Sequence, residues 1–247
     1  MGNLFHIILV QPILNLLILI YNILPWPDIG LATIILTVII RLILAPFFHK
    51  STKQQIMINR LQPAIQKIQK EYKDDKEKLA KAQLELYKKN KVNPFGNLAI
   101  TLIQLPIMLA VYRVFLLGFG PEIIQNNLYS FISQPQTINT LFLGFINLNK
   151  ANIFMAILAA VVQYLSTKLT MSSLKQSKRH QKDQSPNQKM ANALQKQMIF
   201  LGPVMTFIIL VGLPSILGLY WIATTLFSIA QQWYVLKHFH FEEIELE

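Results

Sequence analysis

Apolar residues in this chain fall in long blocks, and the charged residues are confined between them. A bilayer core about 30 Å thick needs roughly 20 apolar residues as helix. Five stretches meet that requirement. Residues 29–48 contain one charge, Arg41. Residues 97–119 have Arg113 near their end, and residues 153–171 have Lys168 near theirs. Residues 198–213 and 215–236 have no charge. The last two meet at Gly212, Leu213 and Pro214, so a tight turn makes them neighbours. The pattern predicts an all-α polytopic membrane protein with five core transmembrane helices and a cytoplasmic helical hairpin. In order, the expected segments are an amino-terminal helix (1–27), a span (28–49), the hairpin (50–92), a span (93–119), an extracytoplasmic segment (120–150), a span (151–171), a basic loop (172–196), two spans (197–213 and 215–236) and an acidic tail (237–247).

The distribution of lysine and arginine sets the expected orientation. Twelve of the 23 basic residues lie between Lys50 and Lys91, and seven more between Lys168 and Lys196. Residues 118–149 have none, and residues 1–27 carry no charged side chain. Both basic loops and the carboxyl terminus are therefore expected in the cytoplasm, with the amino terminus and segment 120–150 outside. The chain is thus expected to be a multi-pass protein of the cell membrane. Residues 4–24 are long and apolar enough to be a sixth span. His6, Gln11, Asn15 and Asn22 fall on one helical side, however, which suits a helix lying in the outer interface. No basic leader region or clear cleavage site marks a signal peptide.

Composition supports the membrane reading. The chain is 53% hydrophobic and 14% charged, against roughly 25% charged in soluble domains. A net charge of +11 could suggest nucleic acid, but the basic residues sit in inter-span loops without interleaved aromatics, so no nucleic-acid substrate is expected. Cysteine is absent, which excludes disulfides, zinc–thiolate sites and a lipid-anchor cysteine within this sequence. No phosphate loop, metalloprotease motif or nucleophile elbow occurs. No enzyme activity, cofactor or metal is expected. The pair His238 and His240 lacks a third ligand.

The candidate chemistry lies inside the spans. An arginine there costs at least about 2.5–3.5 kcal/mol on insertion scales and usually faces a polar cavity or a partner. Arg41 shares a stripe with Thr37 and Thr33, four residues apart. With seven residues to the end of the span, it is expected about 10 Å from the cytoplasmic end. Snorkelling to the headgroups is the simpler alternative. Further polar stripes favour a shared wet cavity: Asn97, Thr101 and Gln104; Gln163, Thr167 and Thr170; and Trp221, Thr224, Thr225, Ser228, Gln231 and Gln232. Any one of these could be helix–helix glue. No acidic residue lies in the spans near Arg41. The hairpin carries Leu61, Ile65, Ile68 and Tyr72 on one stripe and Leu79, Ala82 and Leu86 on another, facing one another. Asp74 is expected to cap the second helix, with Glu77 in a capping box. Asn93 and Pro94 end it. The hairpin lysines can also bind anionic lipid. Residues 175–189 read as a flexible basic loop.

These residues resemble the YidC/Oxa-type membrane protein insertases. Residues 28–46, with Asp28, Arg41 and Pro46, look like the first core span of that family. Residues 61–75, with Pro63 and Tyr72, resemble its cytoplasmic hairpin. The second span is matched by Leu86 and Tyr87, then Asn93 to Gly96, then Gln104, Pro106, Tyr112 and Arg113. Leu219 to Trp221 and Gln231 to Tyr234 match the last span. The resemblance covers nearly all of residues 28–236. It implies a five-helix core with a hydrophilic groove open to cytoplasm and lipid but closed outside, and insertion of clients without nucleotide hydrolysis. Arg41 would attract acidic residues in a client's tail, with Thr37, Thr33, Gln104, Thr101, Gln163, Trp221 and Thr225 lining the groove. The hairpin, through Leu61, Ile65, Ile68, Tyr72, Leu79 and Leu86, would receive clients. Implied partners are nascent membrane proteins with short acidic extracytoplasmic tails, the ribosome, signal recognition machinery, a protein translocation channel and anionic lipids. The chain departs from the family pattern in Thr167, where glutamine is common before the lysine, and in its acidic rather than basic tail. A small-solute channel or secondary transporter could also use such stripes, but no internal repeat is evident.

Overall fold

The computed structural model describes the backbone of residues 2–93, 96–175 and 186–238, and their side chains except at residues 2, 3, 96–101, 103, 171–175 and 186–198. It is predominantly helical. The chain opens with α1 (Gly2–Phe5), a π-helical turn (His6–Val10) and α2 (Gln11–Ile23). Then come α3 (Ile29–Ile43), α4 (Ala45–Glu71), α5 (Lys76–Lys89), α6 (Gly96–Leu117), α7 (Pro121–Asn127), the strands β1 (Leu141–Phe142) and β2 (Ile146–Asn147), α8 (Ile153–Lys175), α9 (Pro186–Val211) and α10 (Ser215–His238). A helix covers each of the five stretches expected to span. His6–Ile23 and Ile153–Thr170 are each long and apolar enough to cross a bilayer, and Ile29–Ile43 together with Ala45–Glu71 qualifies as a broken span. Gln104–Leu117 and Ile199–Val211 are apolar but shorter among the described residues.

Two expected boundaries move. The first span does not run as one helix over residues 29–48. It ends at Ile43, and α4 starts at Ala45. Pro46 has no amide to donate to the Leu42 carbonyl one turn earlier and its ring crowds that carbonyl, which accounts for a break here. Arg41 consequently sits in the last turn of α3, not seven residues from its end. There a cation faces the unsatisfied carbonyls and the negative pole of the helix. The loop expected over residues 172–196 also shrinks. Helix α8 runs on to Lys175 and α9 begins at Pro186, because proline suits the first helical position and the following Met, Ala, Leu and Gln residues favour helix. Residues 176–185 of that basic loop and the acidic tail from residue 239 lie outside the described residues.

The chain divides into two compact units. The first comprises Met1–Leu44, Thr101–Gln163 and Gly202–Phe227. Its core includes Val10, Leu14, Leu17, Ile18, Ile29 and Leu36, all nearly fully buried. The polar side of the amino-terminal helix docks on the segment after α6. His6 Nε2 lies 2.7 Å from Asn127 Oδ1. Gln11 and Asn15 donate to the Asn127 carbonyl, and Asn15 Oδ1 accepts from Tyr129 N at 2.7 Å. Asn22 donates to the Ser133 carbonyl, and Tyr21 bridges Thr137 and Asn139. All four polar residues noted on that side therefore bond to residues 127–133.

Asp28 is the N-cap of α3. Its Oδ1 accepts from Gly30 N (2.7 Å) and Leu31 N (3.1 Å), and its Oδ2 from Leu143 N (2.8 Å). One carboxylate thus satisfies two orphan helix donors and holds the β1–β2 turn against the start of α3. Leu143 and Gly144 in that turn have φ of 53° and 83°, the paired positive values of a tight hairpin. The Phe142 ring occupies the space where a Cβ on Gly30 would lie. The hairpin pairs Leu141 with Asn147 and Phe142 with Ile146. On its other side Ser215, the first residue of α10, donates from its amide to the Lys150 carbonyl at 2.9 Å, and Ile216 N donates to Leu148 O. The three-residue turn 212–214 joins α9 to α10 as the sequence required.

The second unit comprises Ala45–Ile100, Tyr164–Leu201 and Ser228–Glu247. Its centre is the α4–α5 hairpin. Leu61, Ala64, Ile65, Leu86 and Val92 form a buried cluster, with Met57, Ile58, Ile68 and Tyr87 packed around it. Of the expected second stripe only Leu86 enters this cluster, while Leu79 and Ala82, like Tyr72 of the first, are half-buried outside it. The cap of α5 is Asp75, one residue later than expected. Asp75 accepts from Lys78 N at 3.0 Å, while Asp74 falls in the preceding turn. The amide of Asp75 is taken by the Tyr72 carbonyl, so the turn is one residue longer than a Glu77 capping box needs. Asn93 N donates to Gln54 Oε1 at 2.9 Å, tying the return of the hairpin to its start.

Candidate functional site

Helix α3 presents Thr33, Thr37 and Arg41 along one face, and all three are buried, Arg41 at 6% exposure. The guanidinium therefore lies within protein rather than projecting among acyl chains. The two threonine hydroxyls donate back along their own helix, Thr33 to Ile29 O and Thr37 to Thr33 O, each at 2.7 Å. That arrangement satisfies buried hydroxyls in an apolar helix and leaves oxygen lone pairs as acceptors.

Two side chains from distant helices extend the polar cluster of this unit. Gln104 on α6 donates to the Tyr220 hydroxyl of α10 at 3.1 Å. Tyr220 is buried and also interacts with Thr224 and, electrostatically, with Arg41. Tyr220 links the expected arginine and the expected glutamine, yet periodicity alone does not single it out. The available signal was its place one residue before Trp221 and four before Thr224. Trp221 Nε1 donates to Gln163 Oε1 at 3.2 Å, joining α10 to α8. Thr225 donates to the Trp221 carbonyl at 2.8 Å and is buried. The side chain of Thr101 lies outside the described residues. Thus α3, α6, α8 and α10 each contribute polar side chains to the same unit: Arg41 with Gln104 and Tyr220, and Gln163 with Trp221.

The polar residues of the second unit behave differently. In the second unit Thr170 and Gln232 bond to each other at 3.0 Å, and Gln231 donates to the Ala45 carbonyl at 3.3 Å. These are side chains joining helices, worth roughly 0.6 kcal/mol each in membrane proteins. On the hairpin, Leu61, Ile65 and Leu86 are buried in its own core, whereas Ile68, Tyr72 and Leu79 are half-buried and Leu84 is exposed. The Glu71 carboxylate beside it raises the Tyr72 phenol above its ordinary value. Among the described residues no group of three or more His, Cys, Asp or Glu could hold a metal.

A helical membrane protein with a buried arginine in a polar inter-helix cluster and a basic helical hairpin is the class that this geometry defines. A family model described as 60Kd inner membrane protein matches residues 19–243. The chain is 30% identical over 208 residues to the membrane protein insertase YidC of Fusobacterium nucleatum, covering 84% of this chain and 86% of that one. It is 32% identical to the protein of that name from Nitratidesulfovibrio vulgaris, over 84% of this chain and 34% of the relative. The corresponding Francisella tularensis protein is 31% identical, over 85% of this chain and 33% of the relative. The chain therefore spans about a third of the length of those two relatives. It belongs to the 60Kd inner membrane protein family.

Proposed function

We propose that this protein inserts client transmembrane segments into the cell membrane and helps them fold, through a hydrophilic groove open to cytoplasm and lipid, without nucleotide hydrolysis. Family membership supports the activity, since the relatives carry the name membrane protein insertase. The observation that carries the mechanism is the burial of Arg41 on the polar face of α3. A fixed cation in low dielectric attracts an anion more strongly than one in water. Acidic residues in a client's short tail enter beside Arg41, and the apolar segment behind them slides into lipid. Thr33, Thr37, Thr101, Gln104, Gln163, Trp221 and Thr225 shorten the apolar path that the polar tail must cross. The membrane potential then draws the tail outward, contributing about 2.3 kcal/mol per charge per 100 mV.

In this reading the basic hairpin and the carboxyl terminus are cytoplasmic, and the amino-terminal helix lies along the outer interface. The hydrogen bonds from its polar side to residues 127–133 support that placement. The hairpin receives clients on surfaces other than its own buried core, with Ile68, Tyr72 and Leu79 at its edge. The ribosome, signal recognition machinery, a translocation channel and anionic lipids are its proposed further partners.

The test is insertion of an acidic-tailed client into vesicles containing Arg41→Ala or Arg41→Lys. Alanine abolishes insertion and lysine retains most of it if charge attraction drives entry. Wild-type insertion by Arg41→Ala would remove Arg41 from the mechanism.

A further inference from the structure

Trp26, Phe131 and Phe145 are 82%, 77% and 73% exposed, the most exposed large hydrophobic side chains among the described residues. All three belong to the first unit. Leu143, in the same turn as Phe145, is 57% exposed. Many large apolar side chains on the spans are also exposed, but these three aromatics lie outside the helices, where exposure marks a contact surface.

Their setting identifies the partner. Trp26 lies two residues before the Asp28 cap of α3. Phe145 lies in the turn that Asp28 grips through Leu143 N. The residues just after the same hairpin accept from the first two amides of α10, Lys150 O from Ser215 N and Leu148 O from Ile216 N. The turn is thereby held at the level where two membrane helices begin. Residues 123–149 contain no charged side chain, so no ionic headgroup partner is demanded and no charge opposes entry into a less polar medium. Backbone groups of the segment at Asn127, Tyr129, Ser133 and Asn139 are bonded to Asn15, Tyr21 and Asn22, while polar side chains such as Gln125, Ser130 and Gln134 stay exposed beside the aromatics. Backbone bonds close the turn itself, Gly144 N to Leu141 O and Phe145 N to Phe142 O. Aromatic side chains with satisfied backbone at the ends of membrane helices partition to the headgroup–acyl boundary.

We propose that the β1–β2 turn, together with Phe131 and Trp26, is inserted into the outer leaflet of the bilayer as an aromatic anchor, its ligand the lipid at the headgroup–acyl boundary. The anchor fixes the depth at which the outer ends of α3 and α10 ride. It rests on the orientation proposed above, in which residues 120–150 are extracytoplasmic.

The chain has no cysteine, so Phe145→Cys, Phe131→Cys and Trp26→Cys each accept a single nitroxide in the full-length protein. The labelled proteins are placed in nanodiscs of equal parts phosphatidylcholine and phosphatidylglycerol. Collision with oxygen is compared with collision with a water-soluble nickel chelate, and Lys81→Cys on the hairpin serves as the aqueous reference. The expected oxygen-to-nickel ratio is several-fold higher at 145, 131 and 26 than at 81. Ratios equal to the reference overturn the anchor. Spin–spin broadening at 145 overturns it in favour of a second copy. Orientation is read separately in intact cells with a membrane-impermeant maleimide on Asn149→Cys. Labelling from outside with an aqueous 145 sinks the anchor alone, whereas labelling only from inside sinks the orientation.

Discussion

The amide of Gln104 donates to the hydroxyl of Tyr220 across 3.1 Å, joining α6 to α10 over 116 positions of sequence. The same hydroxyl interacts with Thr224 and lies in the field of Arg41. Tyr220 thus orients the side chains that flank the proposed entry point for an acidic tail.

Tyr220→Phe keeps the ring and removes that hydroxyl. The expected loss of stability is about 1 kcal/mol or less, the range of single polar contacts between membrane helices. Insertion of acidic-tailed clients is expected to fall several-fold more than insertion of clients with neutral tails. Thermal unfolding in detergent, run beside the insertion assay, separates the two effects. Equal losses for both clients would reduce Tyr220 to a packing role.

Asp28 accepts three backbone amides with one buried carboxylate. Asp28→Ala leaves all three without their acceptor and is expected to cost about 2–3 kcal/mol, since bonds to charged acceptors are worth more than neutral ones. Asp28→Asn leaves only one acceptor oxygen and sets an NH2 group against an amide donor. Hydrogen exchange at Leu31 and Leu143 should accelerate in both variants. Protection at Leu143 unchanged from wild type would mean that the turn is held by something other than the cap.

Leu61 is fully buried in the α4–α5 cluster. Leu61→Ala is expected to destabilise the hairpin by about 2–5 kcal/mol through lost contacts and a residual cavity. Protease cutting between α4 and α5 reports it. If cutting is unchanged while client crosslinking drops, Leu61 contacts clients directly and the hairpin core is less tight than its burial implies.

Asp75 is held below the ordinary carboxylate value of 3.8, first by the Lys78 amide and then by the Lys78 side chain, whose Nζ lies 3.1 Å from Oδ2. A depressed native value means that the cap contributes its full stability above the unfolded value. The contribution fades as pH falls through the native one. Exchange of the Lys78 amide should therefore be pH-independent in protection above about pH 5 and lose protection below the ordinary carboxylate range. In Asp75→Asn, which keeps an acceptor without a charge, that acid-dependent step should vanish.

The helices were legible because each follows from block hydropathy, and the hairpin because its two stripes carry helical spacing. The tight turn at residues 212–214 could hardly have been anything else. Local chemistry was read less well. Asp74 and Asp75 are adjacent acids, and only the length of the turn after Tyr72 decides which of them caps α5. The break at Leu44 was written in Pro46, but an unbroken apolar block masked it. The role of Tyr220 could not be read locally, because its partners Gln104 and Arg41 come from helices that the fold, not the spacing, brings to it. The sequence likewise showed that His6, Gln11, Asn15 and Asn22 share a side, but not that residues 127–133 would be what they grip.

Gly30 has a hydrogen where the Phe142 ring requires empty space. One added methyl at that point would wedge strand from helix and tip the whole turn outward, with Phe145 as the far end of the lever. A single carbon buried beneath the surface could therefore reset how deeply an aromatic tip sits in its surroundings, with no change to the tip itself.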